Sequence, residues 1–208
     1  ADAILDLHEV LLGRASGADL EILEFPVTDK ESLERLRDAR AKLAAETSRL
    51  AYLARVEGPL SLALDAVKIA DMICWATPSE RDYGAYLDAV KHSGMVNLVE
   101  ADTAELARKH EAASLYKAVP TMMSLRGTDS GKLIREYRAL AATGGASPIL
   151  IRAPREASAD EQVMRASTLI GGLLCDGVGD AVSIDADLPF ERGLSLLYNV
   201  LQGAGVRI

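Results

Sequence analysis

Cysteine, histidine and aromatic residues are scarce in this chain. Its 208 residues include 2 cysteines, 3 histidines and only 4% aromatic residues. Cys74 and Cys175 lie inside apolar runs and show no metal-ligand spacing, so we expect both to be reduced thiols buried in the core. The chain therefore does not supply a zinc or iron-sulfur site from its own cysteines.

Long apolar runs and basic clusters are also missing. No run reaches the ~18 apolar residues that a membrane span needs, and there is no signal-peptide pattern. Ala1 at the first position suggests a fragment whose natural start lies upstream. The net charge is −8 and no basic run exceeds two residues, whereas a nucleic-acid surface needs clustered Lys and Arg. We therefore expect neither a membrane nor a nucleic acid as a partner.

The chain does contain a regular alternation of short apolar runs and helical patterns. At 49% apolar residues, it can bury one full-sized core, and we expect a single domain over residues 1–208. A helix is predicted at 3–15, and each later strand is followed by a helix. The predicted strands cover 18–27, 50–56, 72–76, 95–99, 119–125, 148–151 and 181–184. This repeat predicts a parallel sheet with right-handed crossovers.

Several helix boundaries can be assigned from capping residues. Thr28 is predicted to cap the first helix after a strand, with Glu31 completing a capping box. Asp102 is predicted to cap another helix, and Asp129 or Ser130 to begin the next one. Gly177 is expected to take a positive φ at a helix C-terminus.

Two α/β architectures could accommodate this alternation. A doubly wound sheet usually carries a glycine-rich phosphate loop after an early strand, and neither G-x-G-x-x-G nor a P-loop occurs here. The glycine pair Gly177 and Gly179 precedes a strand rather than a helix. A TIM-like (β/α) barrel fits better. Only seven strands are legible, so the first strand is expected to lie outside the fragment or to lack a recognisable pattern.

A barrel of this kind carries function at the carboxyl ends of its strands. The charged residues expected there are Arg55, Glu57, Glu100, Arg126 and Arg152, with Arg155 and Asp185 nearby. The arginines could converge on a phosphate or carboxylate. Alternatively, the glutamates could neutralise them in a salt-bridged plug, which we favour. No histidine joins this set, so proton-transfer chemistry is poorly supported.

The end of the sequence resembles a known enzyme family. Leu173 to Val182 reads Leu-Leu-Cys-Asp-Gly-Val-Gly-Asp-Ala-Val, and the final helix ends in Leu-Tyr-Asn-Val-Leu-Gln-Gly, with Arg207 shortly after. These motifs are similar to the barrel end of the 4-hydroxy-3-methylbut-2-enyl diphosphate synthase family, which acts in the methylerythritol phosphate route of isoprenoid biosynthesis. Ser124–Asp129 and the stretch from Gly17 to Val27 carry weaker echoes.

The resemblance implies an inserted domain rather than the catalytic barrel. The motifs are closest to the three-domain form, in which an extra barrel called A-star lies between the catalytic barrel and the iron-sulfur domain. The catalytic barrel receives its diphosphate on Asn-Pro-Gly, Asn-Ala-Gly and Lys-Ala-Ser turns, and the corresponding places here carry Ala76–Pro78, Glu100–Asp102 and Arg126–Thr128. The carboxylates of Glu100 and Asp102, at one of these turns, would repel a diphosphate.

The resemblance thus implies a structural spacer domain with no catalytic residue and no metal ligand of its own. The full-length parent would be an oxidoreductase that opens the cyclic diphosphate reductively with a 4Fe-4S cluster. Its location would be the cytoplasm of a bacterium or, for a plant, the plastid. The partners would be the other domains of the same polypeptide, and we expect docking through the final helix around Tyr198 and Leu201. The alternative is a stand-alone barrel that binds a phosphorylated small molecule through Arg126 and Arg152.

Overall fold

Seven parallel β-strands form one sheet whose spatial order follows the chain. The computed structural model describes residues 22–43 and 50–205. All seven predicted strands are present, with small shifts at their ends. Their bounds are β1 (Ile22–Val27), β2 (Ala51–Val56), β3 (Met72–Trp75), β4 (Val96–Ala101), β5 (Thr121–Leu125), β6 (Ile149–Ala153) and β7 (Ala181–Ile184).

Helices alternate with these strands as predicted. The helix predicted at 3–15, residues 18–21 of the first predicted strand and residues 44–46 of the following helix lie outside the described residues. None of the described helices is long and apolar enough to cross a bilayer. The helices are α1 (Lys30–Leu43), α2 (Leu60–Ala66), α3 (Glu80–Ser93), α4 (Ala104–Tyr116), α5 (Ser130–Ala142), α6 (Ala159–Ala166), α7 (Gly172–Cys175) and α8 (Phe190–Gly203).

The strand order separates the two architectures that the sequence left in competition. A doubly wound sheet reverses its strand order at a switch point, whereas here each strand follows its predecessor in space. Ile22 of β1 is paired with Ala51 of β2, and Leu53 of β2 with Met72 of β3, both in parallel. This order is the one that a (β/α) barrel fold requires.

The cap of α1 differs from the prediction by one residue. Asp29, not Thr28, is the N-cap: its carboxylate accepts the N–H of Ser32 at 2.8 Å, and the Ser32 hydroxyl accepts the N–H of Asp29 at 3.0 Å. The capping box is therefore closed by Ser32 and not by Glu31. With Asp29 as the N-cap, Ser32 occupies position N3. In a capping box, the N–H and side chain of the N3 residue are the groups that bond back to the N-cap residue.

The predicted cap of α4 is also wrong. Thr103 caps the helix, since its hydroxyl accepts the N–H of Leu106 at 3.2 Å, while the Asp102 carboxylate bonds Arg126. By sequence spacing alone, either Asp102 or Thr103 could cap α4. The Asp102 carboxylate instead binds the guanidinium of Arg126, which follows β5, and Thr103 forms the cap. The predicted start of α5 at Asp129 or Ser130 is confirmed, with Asp129 as the N-cap, and Ser158 caps α6.

The helical region between β6 and β7 is interrupted. A π-helical segment over Ser167–Gly171 separates α6 from α7. The Thr168 hydroxyl donates to the carbonyl of Met164 at 2.8 Å, one turn earlier. Cys175, the last residue of α7, is exposed, whereas Cys74 in β3 is buried. The expectation of two core thiols is thus wrong for Cys175, because a side chain at the last residue of a helix can lie beyond the layer that covers the sheet.

The described residues divide into two compact units. Unit 1 comprises residues 22–43, 50–98 and 113–120, and unit 2 comprises 99–112 and 121–205. In unit 1, the sheet packs against α1 to α3 over an apolar core that contains Trp75. Its indole N–H donates to the carbonyl of Gly58 at 2.9 Å. A buried polar group joins this core, since the Tyr86 hydroxyl donates to Asn97 at 2.7 Å. Burial raises the pKa of Tyr86 well above its ordinary value.

Helix α4 ends at a strained residue in unit 1. Ala118 has φ of 55°. The N–H of Val119 donates to Ser114 at 3.0 Å and that of Ala118 to Leu115 at 2.9 Å. These two bonds form a Schellman motif, in which glycine normally occupies the position of Ala118.

We expect Ala118→Gly to stabilise the protein by about 1 kcal/mol, because glycine adopts a positive φ without a Cβ clash. Ala112→Gly, at an exposed position inside the same helix, should destabilise it by about 1 kcal/mol and serves as the matched control. Urea unfolding of both variants measures the difference. A loss of stability in Ala118→Gly would contradict the Schellman assignment.

Candidate functional site

Charged side chains gather where the strands of unit 2 end. Glu100 lies near the carboxyl end of β4, Arg152 near that of β6, and Arg126 directly follows β5. In β4 and β6, Val99, Ala101, Ile151 and Ala153 belong to the apolar core. Because side chains alternate along a strand, Glu100 and Arg152 face the other side of the sheet.

Glu100 and Arg152 form a buried ion pair. The Arg152 Nε lies 3.2 Å from Oε1 of Glu100, and the two side chains are 11% and 0% exposed. Charges this far from water are retained only where an opposite charge compensates them. The pair therefore fixes both side chains at this end of the sheet.

Tyr137 of α5 holds the backbone around Arg152 in place. Its hydroxyl accepts the N–H of Leu125 and the N–H of Arg152, both at 3.0 Å. The carbonyl of Leu125 at 3.1 Å and that of Leu150 at 3.0 Å lie within reach of its single proton. The hydroxyl therefore lies between β5 and β6. Its hydrogen bonds take the place of backbone–backbone hydrogen bonds between these two strands. Burial raises the pKa of Tyr137, so this hydroxyl remains protonated.

Arg126 forms an ion pair with Asp102, a residue that was predicted from the sequence to cap α4. Its Nε donates to the Asp102 carboxylate at 2.6 Å. This hydrogen bond lowers the pKa of Asp102 below its ordinary value, although burial opposes the shift. Arg155 and Asp185 form a further, exposed pair at 3.3 Å.

The lowered pKa of Asp102 predicts a pH dependence. The pair should stabilise the fold fully above the ordinary pKa of an aspartate, and that contribution should disappear as the pH falls through the lowered pKa of the folded state. In Arg126→Gln, an NMR titration of the Asp102 side-chain carboxyl should show its pKa moving up toward the ordinary value. An unchanged pKa in this variant would show that Arg126 is not the cause. The Asp129 carboxyl, whose pKa is lowered mainly by the backbone N–H of Lys132, serves as the internal reference.

The remaining predicted pair lies in unit 1. Arg55 near the end of β2 donates to the carboxylate of Glu57, two residues along the chain. Arg55 is largely buried and Glu57 is half-exposed. The two side chains therefore compensate each other locally.

A groove of about 510 Å³ is present in unit 2. It is lined by the loop before α5, the start of that helix and one side of α6 with the segment after it: Thr128, Asp129, Ser130, Gly131, Met164, Arg165 and Thr168. A helix N-terminus usually attracts anions. Here the Asp129 carboxylate already accepts the N–H of Lys132 at 2.9 Å, so the groove presents a negative charge where a phosphate would have to lie.

Four of the five predicted charged residues therefore pair with each other. Glu100 forms an ion pair with Arg152 in unit 2, and Arg55 forms one with Glu57 in unit 1. Tyr198 and Leu201, the predicted docking residues on α8, are half-buried. The large apolar side chains exposed among the described residues are Leu115, Tyr116, Val163 and Met164. Two residues of this region were not predicted from the sequence: Asp102 as the partner of Arg126, and Tyr137 as the bridge between β5 and β6. The only signal for Tyr137 was its place on the apolar stripe of α5, which indicates a core residue but not a bridging hydroxyl.

The residues present do not fit an iron-sulfur cluster. Such clusters are held mainly by cysteine thiolates, up to four for each cluster, and this chain has 2 cysteines. Within residues 22–43 and 50–205, no three His, Cys, Asp or Glu side chains come together as a metal-binding group.

Comparison with solved structures defines the fold class. A truncated 3-deoxy-D-arabino-heptulosonate 7-phosphate synthase from Thermotoga maritima matches 98% of this chain and 80% of its own, with a TM-score of 0.59 and 13% identity. The 3-dehydroquinate dehydratase of Aquifex aeolicus matches 96% of this chain and 94% of its own, with a TM-score of 0.60 and 9% identity. At these identities the likeness concerns the fold alone. The chain has a TIM-like (β/α) fold, which confirms the sequence prediction.

Sequence comparison adds one relative at low identity. No family model matches the chain. The chain is similar to 4-hydroxy-3-methylbut-2-en-1-yl diphosphate synthase (flavodoxin) of Chlorobaculum tepidum, with 26% identity over 203 residues. The match covers 96% of this chain but only 26% of that protein, so the chain spans about a quarter of the relative's length. The similarity supports the family resemblance that the C-terminal motifs indicate.

Proposed function

We propose that this chain is a structural (β/α) domain of a longer enzyme related to 4-hydroxy-3-methylbut-2-en-1-yl diphosphate synthase, corresponding to the inserted A-star domain. The observation that carries the proposal is the neutralisation of charge at the strand ends. Arg152 is paired with Glu100, Arg126 with Asp102 and Arg55 with Glu57. A site for a diphosphate would instead leave cations facing the ligand.

The extent of the match supports a domain role. The relative is about four times as long as the part that this chain matches, which leaves room for a catalytic barrel and an iron-sulfur domain elsewhere in such a polypeptide. In this proposal, the parent enzyme opens the cyclic diphosphate reductively with a 4Fe-4S cluster, and this chain holds the other domains in their working arrangement. Those domains are its partners, and the parent works in the cytoplasm of a bacterium or in a plastid.

The carboxylates of unit 2 argue against catalysis by this chain. Glu100 is fully buried beside Arg152, and Asp102 is held ionised by Arg126. Two carboxylates at the carboxyl end of the same strand, β4, are electrostatically unfavourable for the diphosphate of the substrate.

An activity assay tests this proposal. The purified 208-residue chain should not convert the cyclic diphosphate with an added electron donor above the background without protein. The Chlorobaculum tepidum relative, assayed in parallel, is the positive control. Turnover by the isolated chain would overturn the structural role.

The alternative is a stand-alone barrel that binds a phosphorylated small molecule through Arg126 and Arg152. It requires both guanidinium groups to leave their carboxylates, and for Arg152 that carboxylate is fully buried. A thermal shift of the wild-type chain with sugar phosphates, lost in Arg126→Gln, would favour this alternative. No shift at millimolar ligand would leave the spacer role as the better account.

A further inference from the structure

We propose that unit 2 carries a docking face on α6 and that another domain of the same longer polypeptide covers it. The α6 face consists of Val163 and Met164 on α6, Thr168 in the π-helical segment, and Gly172 and Cys175 on α7. This inference rests on the proposed function, because it names the surface through which the structural domain holds its neighbour.

The α6 face is apolar and exposed. Met164 is 63% exposed and Val163 is 46% exposed, and Thr168, Gly172 and Cys175 are exposed as well. From Met164 onward, these residues recur at spacings of three and four, which places them along one side of a helix. Covering the adjacent side chains of Met164 and Val163 would be favourable, because it removes apolar area from water.

The α6 face is also poor in charge. Between Val163 and Cys175 the sequence contains a single charged residue, Arg165. Helix α5, by contrast, exposes three cationic side chains: Lys132, Arg135 and Arg138. Depletion of charged residues and enrichment of methionine distinguish the core of a protein interface from the rest of a surface. The α6 face therefore has the composition of an interface.

The polar groups beside the α6 face already have partners within the chain. The Thr168 hydroxyl donates to a carbonyl one turn earlier at 2.8 Å, and Nη1 of Arg165 lies 3.6 Å from Oε2 of Glu156. The Asp129 carboxylate, which lines the adjacent groove, accepts the N–H of Lys132 at 2.9 Å. Covering polar groups is costly mainly when they lack such partners. A partner surface could therefore exclude water here at little cost.

The groove beside the α6 face indicates the shape of the partner. It has a volume of about 510 Å³, and Met164 and Thr168 are among the residues that line it. The central contacts of protein interfaces are side chains that fill pockets of this kind on the partner. The occupant should therefore be a protein surface that presents an uncharged, apolar side chain at its centre.

The size of the α6 face favours a tethered domain as the occupant. A helical segment from Val163 to Cys175 is about 20 Å long and about 10 Å wide, so it offers about 200 Å². This area is too small for a separate protein or a second copy, since a stable complex buries about 800 Å² on each partner. A tethered domain is held at a high effective concentration and needs less contact area. The Chlorobaculum tepidum relative, of which this chain spans 26%, is long enough to include such a domain.

Hydrogen exchange of the isolated 208-residue chain and of the longer polypeptide that contains it tests the docking face. The amide hydrogens of α6 and α7 should exchange at least about tenfold more slowly in the longer polypeptide, because the docked domain opposes local opening. Slower exchange confined to α8, around Tyr198 and Leu201, would overturn the assignment to α6.

Met164→Glu places a charge in the centre of the α6 face. Because Met164 is largely exposed, the thermal midpoint of the isolated chain should change by less than about 2 °C. In the longer polypeptide, the variant should abolish the slow exchange of α6 and lower kcat/KM about tenfold, since an unpaired charge is costly to bury. Tyr116→Glu, at a residue that is 91% exposed in unit 1, is the matched control and should change neither quantity. Unaltered exchange of α6 in Met164→Glu would contradict the docking face.

The other outcomes separate this inference from its alternatives. A concentration-dependent dimer of the isolated chain, abolished by Met164→Glu, would assign the α6 face to a second copy and overturn the proposal. Equal exchange of α6 in both proteins, with no turnover by the isolated chain, would overturn the docking face and leave the spacer role intact. Turnover by the isolated chain would overturn the spacer role, whereas slow exchange of α6 in the longer polypeptide would still support docking.

Discussion

Tyr137→Phe is expected to lower the free energy of unfolding by about 3 kcal/mol, with a fall in the thermal midpoint of about 9 °C. The substitution removes one oxygen atom and leaves the ring in its place in the core. Two buried backbone N–H groups, those of Leu125 and Arg152, would lose the acceptor that each now contacts at 3.0 Å. Unsatisfied buried donors cost about 1–3 kcal/mol each.

The position of the hydroxyl explains why the protein cannot easily compensate. It stands between β5 and β6 and replaces the ladder bonds that two parallel strands would otherwise make there. Closing the gap would require the strand ends to move together, and the buried ring of Tyr137 blocks that movement. We therefore expect hydrogen exchange at Leu125 and Arg152 to accelerate in the variant.

Tyr116→Phe is the matched control for this experiment. Tyr116 is 91% exposed, so loss of its hydroxyl should change the free energy of unfolding by less than about 0.5 kcal/mol. Urea unfolding of the two variants beside the wild type gives the comparison. Equal stabilities for Tyr137→Phe and the wild type would show that the hydroxyl does not bridge the strands.

Gly179→Ala is the second substitution with a large expected effect, a loss of about 3 kcal/mol. Gly179 has φ of 108°, where a Cβ atom is strongly disfavoured. A Cβ built there would meet Cδ1 of Ile151 at 2.4 Å and its Cγ1 at 2.9 Å. Ile151 is fully buried and cannot move without disturbing its neighbours. The turn before β7 thus requires glycine for two separate reasons.

Gly84→Ala provides the matched control with the opposite sign. Gly84 lies inside α3, and a Cβ there would meet no atom within 4 Å. Alanine should stabilise the helix by up to about 1 kcal/mol. Thermal unfolding of both variants measures the contrast. A neutral Gly179→Ala would show that the turn relaxes and would remove its role in placing β7.

The sequence predicted the strands well because their signal is local. Each strand is a short apolar run bounded by glycine, proline or a capping residue, and the run itself depends only on the burial of its two faces. The start of α5 at Asp129 or Ser130 was predicted for the same reason, since a cap bonds only to the next turn. The two wrong caps, Thr28 and Asp102, each had an acceptable competitor one residue further on.

The pairing of charges could not be predicted in the same way. Asp102 and Arg126 lie 24 residues apart, and the bond between them depends on the placement of β4 beside β5. The sequence analysis placed Glu100 and Arg152 among the charges at the strand ends. It did not predict that these two side chains would form an ion pair across β5, because the order of strands in a sheet depends on contacts between segments that are distant in sequence.

The sequence by itself determined the alternation of seven strands with helices, the apolar faces of these elements and the need for glycine in the turn before β7. These follow from backbone sterics and from the burial of apolar surface within one segment. Only the tertiary structure decided that the strands follow one another in a single sheet, that Tyr137 bridges β5 and β6, and that Glu100 forms an ion pair with Arg152. Those contacts join residues from different elements, and their free energies depend on distances that exist only once the sheet has formed.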